Sequence, residues 1–348
     1  MTRAACCAPP GCRLTDSARQ WLVEAGIGED RAILVEGDTI RAARLCWHEP
    51  WRAGAVSPAR LDQRWPGSRR GTVILPDDTR VLIDALPPGL PQGSALMVRI
   101  TRPALAEQGR FKLAQCRPAG EAPPAPAPAL AETLAADGYP VRILSSLDRS
   151  FDQAGWADLT EQAASGVVDF SVGRLTISPT PAMTLIDIDG APPALPLALA
   201  AVPAIAGAIA RLDLGGSVAI DFPGLDNRAE RGRVDQALDS ALTDHGWRGE
   251  RTGMNGFGLV QLVSRLTRPA LTARMAFHPA RAAAAALLRQ AERIAAPGAL
   301  LLVAHPAVLA AITPAHEAEL VRRSGRPVRR EPRSTLALAA AFAQAITP

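Results

Sequence analysis

The chain has 348 residues, a formal net charge of +4 and a sequence pI of about 9.1. Its 48% hydrophobic and 21% charged residues are the composition of a soluble globular protein with room for a sizeable core. Five irregularly spaced cysteines (Cys6, Cys7, Cys12, Cys46 and Cys116) exclude a secreted disulfide scaffold. Nearly all the positive charge is arginine, with Lys112 the only lysine, and this excess favours polyanionic partners through counterion release. Cys6, Cys7 and Cys12 sit in a Pro-rich tail without a nearby His, so they read as part of a disordered extension rather than as a soft-metal site. No apolar run has the length and charged flanks of a signal peptide or membrane helix, and a cytoplasmic protein without membrane attachment is expected.

From the N-terminus, Thr15 to Ala25 is predicted as an amphipathic helix capped by Thr15, Asp16 or Ser17. "RAILVEGDTIRAARLCW" gives two apolar runs about a Gly-Asp turn, hence a hairpin. Five short strand-like runs follow: "AGAVSPARL", "GTVILPDD", "RVLIDALP", "ALMVRITRP" and "RFKLAQCRP". Five strands in about 70 residues suggest a small closed barrel of the OB-fold kind. "AGEAPPAPAPALAE", Ala119 to Glu132, is a semi-extended linker, because alternating Pro and Ala hold neither helix nor sheet.

Beyond the linker the texture becomes α/β. "GRLTISPTPAMTLIDIDG" gives two strands about a Pro-containing turn, and Pro196 to Leu212 is helical. "GGSVAIDFPGL" is a strand, Asn227 to His245 a helix, and "FGLVQLVSR" another strand. In the tail, "HPARAAAAALLRQAERIA" and "AHEAELVRRSG" are helices, "ALLLVAHP" is a strand and "RPVRRE" an edge strand. The expected organisation is an extension and helix (1–28), hairpin and barrel (29–118), linker (119–133), α/β core (134–275) and a small C-terminal α/β module (276–348). His278, His305 and His316 stand isolated in these elements and read as structural or surface residues. Trp47, Trp51 and Trp65 read as packing residues more than as base-stacking platforms. Nothing like a G-x-G-x-x-G or P-loop follows any strand, which argues against a nucleotide-binding α/β protein.

The candidate chemistry lies at two strand ends. Residues two apart on a strand face the same way, so Asp187 and Asp189 share a face while Ile186 and Ile188 pack on the other. "SVAIDF" delivers Asp221 at the same relative place, after an apolar run and before Pro223. If the two strands are neighbours, three carboxylates converge beyond the carboxyl ends of the sheet. Their repulsion is removed by a hard divalent cation, Mg²⁺ or Mn²⁺. The plain alternative is a pair of strand ends with solvated caps.

These same stretches carry a resemblance. "TPAMTLIDIDG", then "IARLDLGGSVAIDFPGLDNRAERGRVDQAL", then "RTGMNGFGLVQLVSRLTRPAL" are similar, in order over Arg174 to Leu271, to the catalytic core of the ribonuclease E/G family. The family's two metal-ligating aspartates fall on Asp187 and Asp221, and its accompanying asparagine on Asp189. The resemblance implies a ribonuclease-H-like core and an OB-fold arm that clamps single-stranded RNA. It also implies a lysine on the last barrel strand that touches RNA, which falls on Lys112. The sequence departs from the family in five places, two of them the Thr-Glu-Ala turn, which is Thr180-Pro181-Ala182, and the polar segment after the first catalytic strand, which is shortened to "GAPPALP". Asp189 replaces an asparagine, and the Cys-Pro-x-Cys zinc link is replaced by "TARMAFHPAR". The proline linker stands where the family has the segment that senses the 5′-monophosphate end. No zinc is therefore expected, and any oligomer would form without a zinc link. What the resemblance implies is a Mg²⁺-dependent endoribonuclease with Asp187, Asp189 and Asp221 as catalytic residues. Arginines of the barrel (Arg99, Arg102, Arg110) and of the core (Arg228, Arg231, Arg233, Arg265) would hold phosphates beside Lys112. The alternative is a non-catalytic RNA-binding protein of the same fold, acting in RNA processing or ribosomal RNA maturation.

Overall fold

The computed structural model describes residues 19–107 and 110–347. Gln20–Ala25 is a strand, β1, and not the end of a helix; Thr15, Asp16 and Ser17 lie outside the described residues. Trp21, Leu22 and Val23 are all buried because β1 lies inside a sheet, and a strand covered on both faces shows no alternation. The expected hairpin forms from β2 (Glu29–Glu36) and β3 (Thr39–Trp47). It pairs with β1, however, and not with the barrel strands.

The barrel is made by β4 (Val56–Arg64), β5 (Gly71–Ile74), β6 (Arg80–Ile83), β7 (Ala95–Arg102) and β10 (Gln115–Pro118). They close in the order β10–β6–β5–β4–β7, with β10 parallel to β6 and antiparallel to β7, which is consistent with an OB-like fold. Leu61, Val73, Val81, Val98, Ile100 and Cys116 fill its interior, and burial pushes the Cys116 thiol up to about 12, so it behaves as a small apolar residue. "RFKLAQCRP" is split: β8 (Leu105–Glu107) and β9 (Arg110–Lys112) make a separate hairpin, and only Gln115–Pro118 joins the barrel, where Cys116 points inward. The linker is strapped to the barrel: Val56 and Ala125 exchange backbone hydrogen bonds of 2.8 and 3.0 Å.

Next come α1 (Leu130–Ala135) and β11 (Val141–Leu144). β11 pairs parallel with β1, completing a four-stranded sheet in the order β11–β1–β2–β3. The chain continues through α2 (Ser150–Gln153), α3 (Trp156–Ser165), β12 (Val167–Phe170), β13 (Gly173–Pro179), β14 (Thr184–Gly190), α4 (Ala194–Arg211), β15 (Ser217–Asp221), α5 (Arg228–Asp244), β16 (Glu250–Arg251), β17 (Leu259–Val263) and α6 (Leu271–Phe277). The central sheet runs β12–β13–β14–β15–β17–β16; β14 and β15 are its one parallel pair, and the other pairings are antiparallel. Helix α4 has a mean hydropathy of 1.7 over 18 residues, enough by length and composition to cross a membrane. Here Leu197, Ala201 and Ile205 bury its apolar stripe in the same core as Ile186, Ile188 and Ile220, which accounts for the composition.

The C-terminal module comprises α7 (Pro279–Glu292), β18 (Ala299–Ala304), α8 (Pro306–Ala311), α9 (Pro314–Ser324), β19 (Val328–Pro332) and β20 (Phe342–Ile346). β19 is an edge strand as expected, while β20, pairing antiparallel with β18, was not anticipated. Ion pairs fasten this module to the four-stranded sheet. Glu24, which Arg31 of the neighbouring strand holds at 2.9 Å, reaches across to Arg293 at 3.0 Å, and Arg289 on α7 pairs with Glu29. Two of the histidines singled out in the sequence have structural contacts: His305 accepts from Ala307 N (3.1 Å) at the start of α8, and His278 packs edge-on against the buried Trp47.

Candidate active site

The sequence "TLIDIDG" folds as its alternation demands. Ile186 and Ile188 are buried under α4, and Asp187 and Asp189 are exposed on the opposite face. On β15, Val218, Ala219 and Ile220 are buried and Asp221 ends the strand exposed. The parallel register places Asp187 directly beside Asp221. Neighbouring strands lie about 4.8 Å apart, so the two carboxylates stand side by side at the sheet's carboxyl edge. Asp187 Oδ1 accepts only from its own neighbour, Ile188 N (3.0 Å), and no hydrogen bond or ion pair reaches Asp221 from the described residues.

Asp189 stands apart from that pair. It lies across from Arg174 on β13, and Thr176 Oγ1 is 3.5 Å from its Oδ2. Arg174 itself pairs with Asp169 at 3.2 Å. Among the described residues no group of three or more His, Cys, Asp or Glu side chains is arranged to hold a metal ion. The expected convergence of three carboxylates is therefore corrected to two. Strand geometry explains it: Asp189 is two residues past the last β14–β15 pair, so no residue of β15 stands beside it. Two exposed carboxylates at adjacent positions still fit Mg²⁺, which takes one or two carboxylates and fills its remaining sites with water and phosphate oxygens.

The loop after Asp221 is held on three sides. Phe222 N donates to Gly258 O (3.2 Å), and Gly258 has a φ of +86°. A Cβ there would lie 2.8 Å from Phe222 O, so glycine is needed next to the Asp221 strand end. Arg231 Nη1 donates to Leu225 O (3.0 Å), and Asn227 caps α5 by accepting from Glu230 N (3.0 Å). Arg231, expected to contact RNA, thus positions the loop that follows Asp221.

The other basic residues do not share one face. Arg99 is exposed on the barrel and donates to Gly54 O (3.2 Å); Arg102 is buried and donates to Leu113 O (2.7 Å). Lys112 is on β9, outside the barrel, where Nζ donates to Pro181 O (3.2 Å) in the turn that leads into β14. It ties the barrel hairpin to the aspartate strand's start. The Arg110 side chain, like Cys6, Cys7 and Cys12, lies outside the described part. Arg228 and Arg233 are exposed on α5. Arg265 is exposed after β17, at the end of the sheet away from Asp221, on the wall of a large cleft that sequence spacing did not reveal.

The fold and site define a protein that couples a closed β-barrel to a mixed α/β sheet with paired carboxylates at a parallel strand edge. Residues 130–267, from α1 to the loop after β17, match the model of the Ribonuclease E/G family, and both aspartates lie inside this segment. No curated protein matches the chain.

Proposed function

We propose that the chain is an endoribonuclease that cuts single-stranded RNA with a divalent cation, Mg²⁺ or Mn²⁺, held by Asp187 and Asp221. The observation that carries this reading is the side-by-side register of those two aspartates, exposed and uncompensated, inside the family-matching segment. When bound, the ion offsets the two carboxylates, polarises the scissile phosphate and favours deprotonation of a water. Asp189, farther along the same face, accepts a hydrogen bond from the attacking water and orients it. In-line attack forms the new bond from water oxygen to phosphorus and breaks the bond to the 3′ oxygen. The products are a 5′-phosphate and a 3′-hydroxyl. The barrel, through Arg99, holds backbone phosphates, and Arg231 keeps the loop after Asp221 in place. A cytoplasmic location fits this reading.

A second reading, a non-catalytic RNA-binding protein of the same fold, is favoured by one observation: the described residues offer two carboxylates and no third ligand nearby. One assay separates the two. An end-labelled, AU-rich single-stranded RNA is incubated with Mg²⁺, Mn²⁺ or EDTA and wild type, Asp187→Asn or Asp221→Asn. The nuclease reading expects metal-dependent internal cuts, reduced about a hundred-fold or more in each variant, as for loss of a group stabilising transition-state charge. Binding without cutting by folded wild type establishes the second reading instead.

A further inference from the structure

At the other end of the central sheet lies a cleft of about 910 Å³, bounded by the ends of α4, α5 and β17 and by the four-stranded sheet. On one side of it two carboxylates, Asp213 and Asp137, act on two guanidiniums, Arg44 and Arg268. Asp213 pairs with Arg44 (3.3 Å) and with Arg268, whose Nη2 lies 3.1 Å from Oδ1. Burial disfavours the Asp213 carboxylate, but Arg44 and Arg268 outweigh it and hold the group below the usual carboxylate range.

The opposite side is not balanced. Arg19 Nε and Arg41 Nε share a single carboxylate, Glu36, at 3.1 and 3.2 Å. Arg211, at the end of α4 and half-buried, has no hydrogen bond or ion pair to any described residue. His245, the C-cap of α5, uses Nδ1 on Ala241 O (2.9 Å), which leaves Nε2 for another partner. The two rings of charge are neighbours: a Cβ on Gly207 would lie 2.7 Å from Arg211 Nη1 and 3.7 Å from His245 Nε2. Burial and then the fields of Arg41, Arg211 and Arg19 lower the basicity of His245. Three guanidiniums against one carboxylate leave a surplus of two positive charges, even with His245 neutral. A half-buried cation without a counter-charge is unfavourable unless something external supplies it. The charge matches a phosphate group, which carries about −1.5 to −2 near neutral pH.

We propose that this corner of the cleft is a phosphate-binding subsite in which Arg19, Arg41 and Arg211, with His245 Nε2, hold the phosphate of a phosphorylated ligand. Guanidinium forks suit phosphate oxygens in geometry as well as charge. Tyr139 and Trp247 line the same cleft, and Tyr139 is a side-chain hydrogen-bond partner of Arg19. The subsite is separate from the aspartates, because Val263 on the cleft wall pairs with Ser217, four residues before Asp221 and about 13 Å along the strand. It stands whether or not the chain cuts RNA. Three sources share this chemistry: free phosphate, a mononucleotide and the backbone of single-stranded RNA.

The test uses the full chain in chloride buffer with EDTA, so that no cation bridges RNA to the aspartates. Thermal shifts and calorimetric titrations are recorded with inorganic phosphate, a nucleoside 5′-monophosphate, and a single-stranded oligoribonucleotide lacking terminal phosphates. At least one probe is expected to bind, and to bind at least ten-fold more weakly to Arg211→Gln and to Arg41→Gln. The ligand-free melting temperature of Arg211→Gln is expected to stay level or rise, because like-charge repulsion is relieved; a purely structural arginine would lower it. Tighter binding of the mononucleotide than of phosphate assigns the cleft to nucleotides, and binding of the oligomer alone assigns it to RNA backbone. Arg41→Gln carries the test if Arg211→Gln fails to fold. The proposal is overturned if no probe binds, or if both substitutions leave binding unchanged.

Discussion

Along the seam between the four-stranded sheet and the C-terminal module, Glu24 faces Arg31 and Arg293, Arg293 also meets Asp152 at 3.0 Å, and Glu29 faces Arg289, three carboxylates against three guanidiniums. The central sheet is arranged otherwise. Its carboxyl edge carries Asp187 and Asp221, to which no cationic side chain among the described residues is paired, and its other end borders a corner where arginines outnumber carboxylates. The seam is sealed from water and must compensate each charge internally, since an unpaired ion there would be costly. The sheet ends are open, so their surplus charges remain available to something outside the chain. Paired charge holds this molecule together, and unpaired charge marks the candidate metal site and the proposed phosphate subsite.

Breaking the balance should produce the largest effect. Glu24→Gln leaves Arg31 and Arg293 buried near each other without their shared carboxylate. It should cost about 3–5 kcal/mol of stability, read as a lower urea midpoint; a midpoint within error of wild type would show that the seam is not energetically coupled. A smaller effect is expected at the open edge. Gly258→Ala forces a side chain into a φ of +86° and against Phe222 O, at a cost of about 1–3 kcal/mol. It should weaken metal-dependent cleavage, whereas Gly224→Ala, in open space, should not; equal activity of the two would detach Gly258 from the Asp221 edge. The smallest effect concerns Asp213 in the cleft. Its carboxyl titrates below the usual range in the folded state, so the stability it contributes is present above the unfolded value, near 3.9, and is lost as pH falls through the folded value. Urea midpoints between pH 5 and pH 2 should fall less steeply for Asp213→Asn than for wild type.

The aspartate strands were legible because each is an apolar run ending in Asp, and a sheet with one buried face enforces that alternation. Their register was not legible, since pairing depends on the α4 connection between them. Strand β1 escaped because a central strand buried on both faces has no period to read. The hairpin was grouped with the barrel because the fourth strand of the sheet it joins, β11, lies beyond the whole barrel in sequence. Arg19, Arg41, Arg211 and His245 share no local spacing, and only the tertiary fold brings them to one corner. Two residues assigned to RNA, Lys112 and Arg231, are occupied by backbone carbonyls, which a sequence cannot show.

The pairing of β1 with β11 has a consequence for how the chain folds. Trp21 meets Val141 with the whole barrel between them, and closing a flexible loop of about 120 residues costs about 4 kcal/mol in chain entropy. A barrel that forms first shortens this loop, because β4 and the linker are already hydrogen-bonded at Val56 and Ala125. The barrel would then act as a splint, and substitutions that weaken its interior should slow assembly of a sheet they never touch.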